Sequence, residues 1–248
     1  DTVSLQDVGN VGTTAHRSIK SVNYITFFFN EDGIYAYTGS EPQLISRPIQ
    51  KWIKGIDQTK LGDVFAEVDS KQYYKLYVGT ITVDGVSFSN CEIRYSIPDN
   101  TFTIYSYSDT MTSYAQHRIS GKTRVYAGTS DGEVHKLGAK DDTDYSDNGA
   151  AISTEWMFET DLGLPSERKK VDAALIYTSQ AQNLTGRVRA KNKDWSSYFN
   201  IDKDEQEVLI SPADGRVLQW HFSSSQSVAP CVFEGITFTS HLTTEKYV

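Results

Sequence analysis

The sequence has little cysteine. Cys91 and Cys231 are its only two, enough for one bridge at most, so no disulfide framework holds the fold and two unbridged, buried thiols are expected. Six prolines and 17 glycines in 248 residues exclude a collagen-like or low-complexity chain. The longest apolar stretch, Tyr24 to Phe29, is interrupted by Thr26 and falls far short of a bilayer span, so no membrane insertion is expected. Asp1-Thr2-Val3-Ser4 has neither a basic start nor an apolar run and does not read as a signal peptide. Opening on Asp1 rather than Met, the chain is expected to be a processed product or a fragment. Basic residues are the minority, 24 Lys+Arg against 32 Asp+Glu for a formal charge of −8, which argues against wrapping nucleic acid from outside.

Signatures of catalysis are missing too. The five histidines, His16, His117, His135, His221 and His241, form no HxxxH or HxH pair, and no cysteine cluster stands at ligand spacing. There is no GxSxG elbow, P-loop or GxGxxG. Ser130-Asp131-Gly132 lacks the spacing and the Trp of the Ser-x-Asp-x-Gly-x-x-Trp box of propeller sialidases. Counted as a calcium loop from Asp142, Asp144 and Ser146 fall at ligand positions, but Asp147 stands where Gly is needed and Ser153 where Glu is needed. No pair of acids is singled out for glycoside chemistry. Asn183-Leu184-Thr185 fits the glycosylation sequon, which carries no weight without evidence of secretion. No catalytic, cofactor-binding or metal-ligating residue emerges, and the chain is expected not to be an enzyme.

What is present is β-sheet composition. Fifteen Tyr and 11 Phe stand among many Thr, Val and Ile, residues that fit a pleated, half-buried surface. Strand-like runs between turn signals are Val22–Phe29, Ile34–Tyr37, Val64–Val68, Tyr73–Val83, Cys91–Ile97, Phe102–Tyr107, Arg124–Ala127 and Val134–Leu137. After Gly149 come Ile152–Thr160, Val171–Thr178, Gly186–Lys191, Glu207–Ile210, Val217–Phe222 and Val232–Thr239. Alternation puts Ile152, Trp156 and Phe158 on one face, and likewise Leu218, Trp220 and Phe222, which marks Trp156 and Trp220 as core. One helix is expected within Ile45–Ile56, where Ile49, Trp52, Ile53 and Ile56 recur at helical spacing after Pro48.

Asp-Gly pairs at Asp32-Gly33, Asp84-Gly85 and Asp131-Gly132 are spaced by 52 and 47 residues. Asp-Gly favours a two-residue hairpin turn, whose central positions need positive φ, and a hairpin about every fifty residues suits propeller blades. A fourth pair, Asp214-Gly215, comes 83 residues later and breaks the period. The acidic, turn-rich stretch 139–149 reads as a linker or long loop. The expected fold is therefore all-β: a partial β-propeller-like N-terminal unit over 1–140, followed by a C-terminal β-sandwich over 150–248.

Two further features bear on binding. Arg168-Lys169-Lys170 with Arg187, Arg189, Lys191 and Lys193 is the one basic concentration, read as a solvated strand edge. Trp195, in the polar run Lys193-Asp194-Trp195-Ser196-Ser197-Tyr198, reads either as a structural Trp at a strand entry or as an exposed stacking platform.

The stretch Gly12-Thr13-Thr14-Ala15-His16-Arg17-Ser18-Ile19-Lys20, then Thr26-Phe27-Phe28-Phe29-Asn30-Glu31-Asp32-Gly33-Ile34-Tyr35-Ala36-Tyr37-Thr38-Gly39, then Ile45-Ser46 and Ile49, resembles bacteriophage tail proteins. These share an Arg-Ser-Ile segment, an aromatic strand and Asp-Gly-Ile-Tyr-x-Tyr-x-Gly. Val78–Thr82, Val125–Gly128 and Gly132–Leu137 look like further blades, and Leu162-Gly163-Leu164-Pro165 before Arg168-Lys169-Lys170 resembles the segment that opens the family's β-sandwich. The chain is thus similar to the propeller-bearing hub, nozzle or tail-stabilisation proteins of short-tailed phages. Such proteins are usually longer, with blades before the Arg-Ser-Ile segment, so this chain looks like a C-terminal part or a reduced relative.

The resemblance implies a structural virion protein of the phage tail, assembled in the host cytoplasm, that rings the DNA exit path. Its implied partners are other copies of itself in the ring and neighbouring tail or portal/adaptor proteins, with non-sequence-specific DNA passage through the ring. Ser40–Ser46 and Asp141–Asn148 are the loops expected to make contacts. The alternative is a carbohydrate- or receptor-binding β-module whose exposed aromatics stack on sugars.

Overall fold

The computed structural model describes residues 11–137, 146–147, 150–163, 166–179, 184–226 and 232–242. Over these residues the chain is all-β, as its composition implies, and it forms two compact units, Asp1–Ala139 and Lys140–Val248.

The first unit contains three antiparallel meanders. Strands β1 (Lys20–Val22), β2 (Ile25–Asn30), β3 (Gly33–Tyr37) and β4 (Gln43–Leu44) form the first sheet. Strands β5 (Phe65–Asp69), β6 (Tyr73–Val83), β7 (Val86–Ser96) and β8 (Thr101–Ser106) form the second. The third has β9 (Met111–Ile119), β10 (Lys122–Thr129) and β11 (Val134–Lys136). In each, strands lie side by side in chain order, the arrangement of a propeller blade, and no sheet closes on itself.

The turns explain why these runs fold back where they do. Asp84 and Gly85 join β6 to β7 with φ of 52° and 78°, the two left-handed positions of the expected hairpin turn. The other two pairs differ. The turn from β2 to β3 is Glu31-Asp32, and Gly33 is the first residue of β3 at φ 145°. Gly132 lies at φ 90° in a longer turn, its N–H donating to Thr129 O at 3.3 Å. Both glycines do occupy positive φ. The run Val22–Phe29 is not one strand but a hairpin, because the chain reverses through Asn23 and Tyr24 at φ 49° and 67°. No glycine or proline marks that turn, and Asn is the residue that tolerates the left-handed region. The polar run Met111–Ile119, absent from the strand reading, is paired along its length with β10.

The second sheet is a middle layer. One face contributes Ala66, Val68, Tyr74, Leu76, Cys91 and Ile93 to a core shared with Val22, Phe27, Phe29 and Ile34 of the first sheet. The opposite face sets Phe65 and Tyr77 against Met111, Val125 and Ala127 of the third. The expected helix is a short 3-10 turn (Arg47–Ile49) leading into α1 (Gln50–Ile53). Its apolar spacing is used as read: Ile53 and Ile56 are buried, with Ile49 and Trp52 packed against them.

Buried polar ties fix the first unit's geometry. Ser18 Oγ donates to Ala15 O at 2.6 Å and accepts the N–H of Phe29 at 3.0 Å, while Ser18 O accepts the Tyr74 hydroxyl at 2.8 Å. Arg17 donates to Thr112 O at 2.7 Å, and its guanidinium lies 4.8 Å from the centre of the Phe65 ring. Ser46 Oγ accepts the N–H of Ile34 at 3.0 Å. A Cβ on Gly33 would stand 2.2 Å from that oxygen. Arg17 and Ser18 therefore tie the segment before β1 to the third and second sheets, and Ser46 holds the start of β3.

The second unit is a two-sheet sandwich. Its strands are β12 (Ser146–Asp147), β13 (Ala150–Thr160), β14 (Lys169–Ser179), β15 (Leu184–Ala190), β16 (Phe199–Ile201), β17 (Glu205–Gly215), β18 (Leu218–Gln226) and β19 (Val232–Leu242). One sheet runs β12-β13-β18-β15-β16 and the other β17-β14-β19. Val171, Ala174 and Ile176 of β14 meet Val188, Leu218, Trp220 and Phe222 of the facing sheet in one apolar core, with Trp156 and Phe158 packed against it. Asp214-Gly215 is not a turn here: both residues pair in register with Lys170 and Lys169. Residues 139–149, read as a linker, lie outside the described residues apart from β12, which pairs with β13.

Candidate functional site

Two polar constellations stand out, one buried and one on a surface. The buried one lies on the face of the second sheet turned toward the third. Alternation places Lys75 of β6 opposite Arg94 of β7, with Glu92 two residues before Arg94. Glu92 is wholly buried and accepts from Arg94 Nε at 2.9 Å, Tyr114 at 2.8 Å and Tyr107 at 3.2 Å. Burial by itself raises a carboxyl pKa. Here the charges of Arg94 and Lys75 and the hydrogen bonds from Tyr114 and Arg94 outweigh it and hold Glu92 below its ordinary value. Burial, with the Glu92 charge, pushes Tyr107 and Tyr114 well up, so both stay protonated donors.

Lys75 Nζ lies 2.7 Å from Asp69 Oδ2, both side chains being buried. Among the described residues Nζ has no other acceptor, so this short ion pair is what holds the buried ammonium. Burial, then repulsion from Arg94, moves the Lys75 pKa down against the pull of Glu92 and Asp69. A shallow hollow of about 220 Å³ opens beside Tyr73, Arg94 and Tyr105, less than a drug-sized ligand fills. The arrangement ties β6 and β7 of the second sheet to Tyr114 of the third. Cys91 is likewise inert, buried on the opposite face of the same sheet with its thiol pushed up to about 11 by burial.

The second constellation covers the outer face of the five-stranded sheet. Because β-strand residues alternate, Arg187 and Arg189 of β15 both point away from the core that holds Val188. In register across β18 stand His221 and Gln219; on β13 Glu159 is opposite Gln219, Met157 is opposite His221, and Glu155 reaches His221 diagonally from two residues away. Two polar rows result. Arg187 Nε donates to His221 Nδ1 at 3.3 Å, and His221 Nε2 lies 3.3 Å from Glu155 Oε2. With Nδ1 accepting from Arg187, Nε2 is the ring nitrogen left to donate to Glu155. Arg189 Nε donates to Gln219 Oε1 at 2.6 Å, and Gln219 Nε2 donates to Glu159, which also pairs with Lys191 at 2.9 Å.

The loop after β15 folds back over this face. Ser196 N–H donates to Val188 O at 2.8 Å and Ser196 Oγ accepts the N–H of Val188 at 3.0 Å, which brings Trp195 over both arginines. The guanidinium carbons of Arg187 and Arg189 lie 4.7 and 4.3 Å from the Trp195 ring centre, and Arg187 lies 4.8 Å from that of Tyr198. Trp195 is half-buried and Tyr198 is 57% exposed. Both arginines are anchored through Nε. Among the described residues, their Nη nitrogens have neither a hydrogen bond nor an ion pair.

The basic concentration seen in the sequence is thus divided between two sheets. Arg168 pairs with Asp214 at 2.7 Å, Lys170 with Asp172 at 3.2 Å, and buried Lys169 donates to Arg216 O at 2.9 Å. Arg187 and Arg189 sit on an interior strand, not on the strand edge expected for them, because β16 and the returning loop lie outside β15. The pairing of Arg187 with Arg189 was legible from their i, i+2 spacing; Trp195 above them was not, since a loop brings it there. Ser40–Ser46 is partly strand β4, with Ser46 buried; Asp141–Asn148 and Cys231 lie outside the described residues, save Ser146 and Asp147. Among the described residues no three His, Cys, Asp or Glu side chains converge as metal ligands, and no helix is long and apolar enough to cross a membrane. No protein-family model matches the chain, and no curated protein matches it.

Proposed function

We propose that this chain is a structural component of a phage tail that works by contact, joining other copies of itself or neighbouring tail or portal/adaptor proteins into a ring around the DNA exit path. The observation that carries this reading is the open end of the sheet stack. The second sheet has both faces covered, whereas the third covers only the face bearing Val125 and Ala127. Its other face leaves Ile119 45% and Val134 72% exposed, beside exposed Ala115 and His117. A sheet from another chain would continue the stack there, a heterologous contact of the kind that closes rings. The sheet-binding roles of Arg17, Ser18, Gly33 and Ser46 support the same reading, since the resemblance rests on them.

The test is the mass and symmetry of the native particle, by light scattering or averaged images, after co-expression with neighbouring tail proteins. A closed ring that Ile119→Arg with Val134→Arg dissolves into folded monomers is expected. A wild-type chain that stays monomeric and enters no tail particle would overturn the proposal. A second reading, a carbohydrate- or receptor-binding module, is favoured by one observation: aromatic side chains and unpaired guanidinium donors share the outer face of the C-terminal sheet.

A further inference from the structure

We infer that the outer face of the five-stranded sheet binds a carboxylated oligosaccharide, with Arg187 and Arg189 taking sugar carboxylates and Trp195 and Tyr198 stacking on sugar rings. The inference deepens the second reading above and does not depend on the ring. Its basis is how each arginine is held. Nε is fixed to a neighbour, the planar group lies on an aromatic ring, and the Nη donors are left unpaired. A guanidinium so anchored has already lost most of its rotamer freedom, and its remaining fork matches a carboxylate. Two residues along a strand separate the forks by about 6.6 Å, so each can engage a different acid group of one chain.

Neighbouring residues select among polyanions. Glu155 and Glu159 lie on the same face, and the whole chain carries −8. A phosphate backbone, charged at every step, would be repelled there, and nucleic-acid sites are strongly basic. Sugars instead carry hydroxyls that both donate and accept, and this face offers both: the two carboxylates accept, while the hydroxyl pair Thr185–Ser223, 2.7 Å apart, can do either. An acidic peptide also offers carboxylates to arginine forks, but Asp and Glu side chains give Trp195 and Tyr198 no ring face to stack on.

The test is calorimetric titration of the full chain with hexagalacturonate and with an α2,8-linked oligosialate, each against its carboxyl-reduced counterpart, and with an oligothymidylate of equal charge. Binding of at least one acidic sugar, ten-fold or more tighter than its reduced form and than the oligonucleotide, is expected. Arg187→Ala with Arg189→Ala should abolish that preference, Arg→Lys at both sites should not restore it because the planar fork is lost, and Trp195→Phe should retain more affinity than Trp195→Ala. Equal affinity for acidic and reduced sugars would overturn the carboxylate assignment while leaving a carbohydrate module standing. Tighter binding of the oligonucleotide, or no binding of either acidic sugar by a folded chain, would overturn the inference altogether. Neither result bears on particle mass, so failure here is distinct from failure of the ring.

Discussion

The N-terminal unit buries Asp69, Lys75 and Glu92 between its second and third sheets, whereas the C-terminal unit carries Arg187, Arg189, Glu155 and Glu159 on the outside of a sheet whose inner face is largely apolar and aromatic. The same residue types serve opposite ends. A buried ion has no water to fall back on, so each member of the first set is held by the others and the stacking of the sheets is specified with them. A surface guanidinium can exchange partners with solvent at small cost, which leaves it available to a ligand.

The largest expected effect comes from breaking the buried set. Glu92→Gln leaves Arg94 and Lys75 without their shared counter-charge and should cost about 3–5 kcal/mol. Urea unfolding measures the loss, and hydrogen exchange should place it in β5–β11 and leave β13–β19 unchanged. The same group sets a pH dependence. Glu92 is held below its ordinary value of 4.5, so the native state binds its proton more weakly than the unfolded chain does. Its stabilisation is present above pH 4.5 and is lost as pH falls through the folded value. Acid should therefore open the N-terminal unit with a slope that Glu92→Gln removes.

Next come Gly33 and Gly132, which the sequence treats alike as turn glycines and the structure does not. Gly33→Val meets Ser46 and disturbs the N–H of Ile34, adding the loss of a buried hydrogen bond to backbone strain, about 2–4 kcal/mol together. Gly132 has nothing within 4 Å of a Cβ, so Gly132→Val should cost only the strain, about 1–2 kcal/mol. Equal shifts in melting temperature for the two variants would show that Ser46 does not anchor β3. The smallest effect belongs to the surface. Arg189→Ala should change stability by no more than about 0.5 kcal/mol, and a loss comparable to that of Glu92→Gln would show that the outer face is structural after all.

Much of the fold was legible because strands betray themselves by alternation and glycines by the turns they permit. Tyr73–Val83 was read with its observed bounds, and Trp220 was placed correctly in the core. The hairpin at Asn23-Tyr24 was missed for want of a glycine, and β9 for want of apolar residues: its run is polar because most of it is exposed. Lys75, Glu92 and Arg94 were passed over for a different reason. They alternate with Leu76, Ile93 and Tyr95, the pattern of a half-solvated strand, and nothing local says that a third sheet covers the polar side.

The sequence by itself determined that this protein is all-β and where most of its strands begin and turn, since these follow from side-chain periodicity and from which residues tolerate positive φ. It also determined that Arg187 and Arg189 share a face. Only the tertiary structure decided which polar faces are buried and which are free. That depends on what another segment lays over them: the distant β9–β11 covers Glu92, whereas the loop just after β15 sets Trp195 against the arginines and leaves their Nη donors open. Such contacts come from outside the strand, and alternation within one strand cannot encode its neighbour.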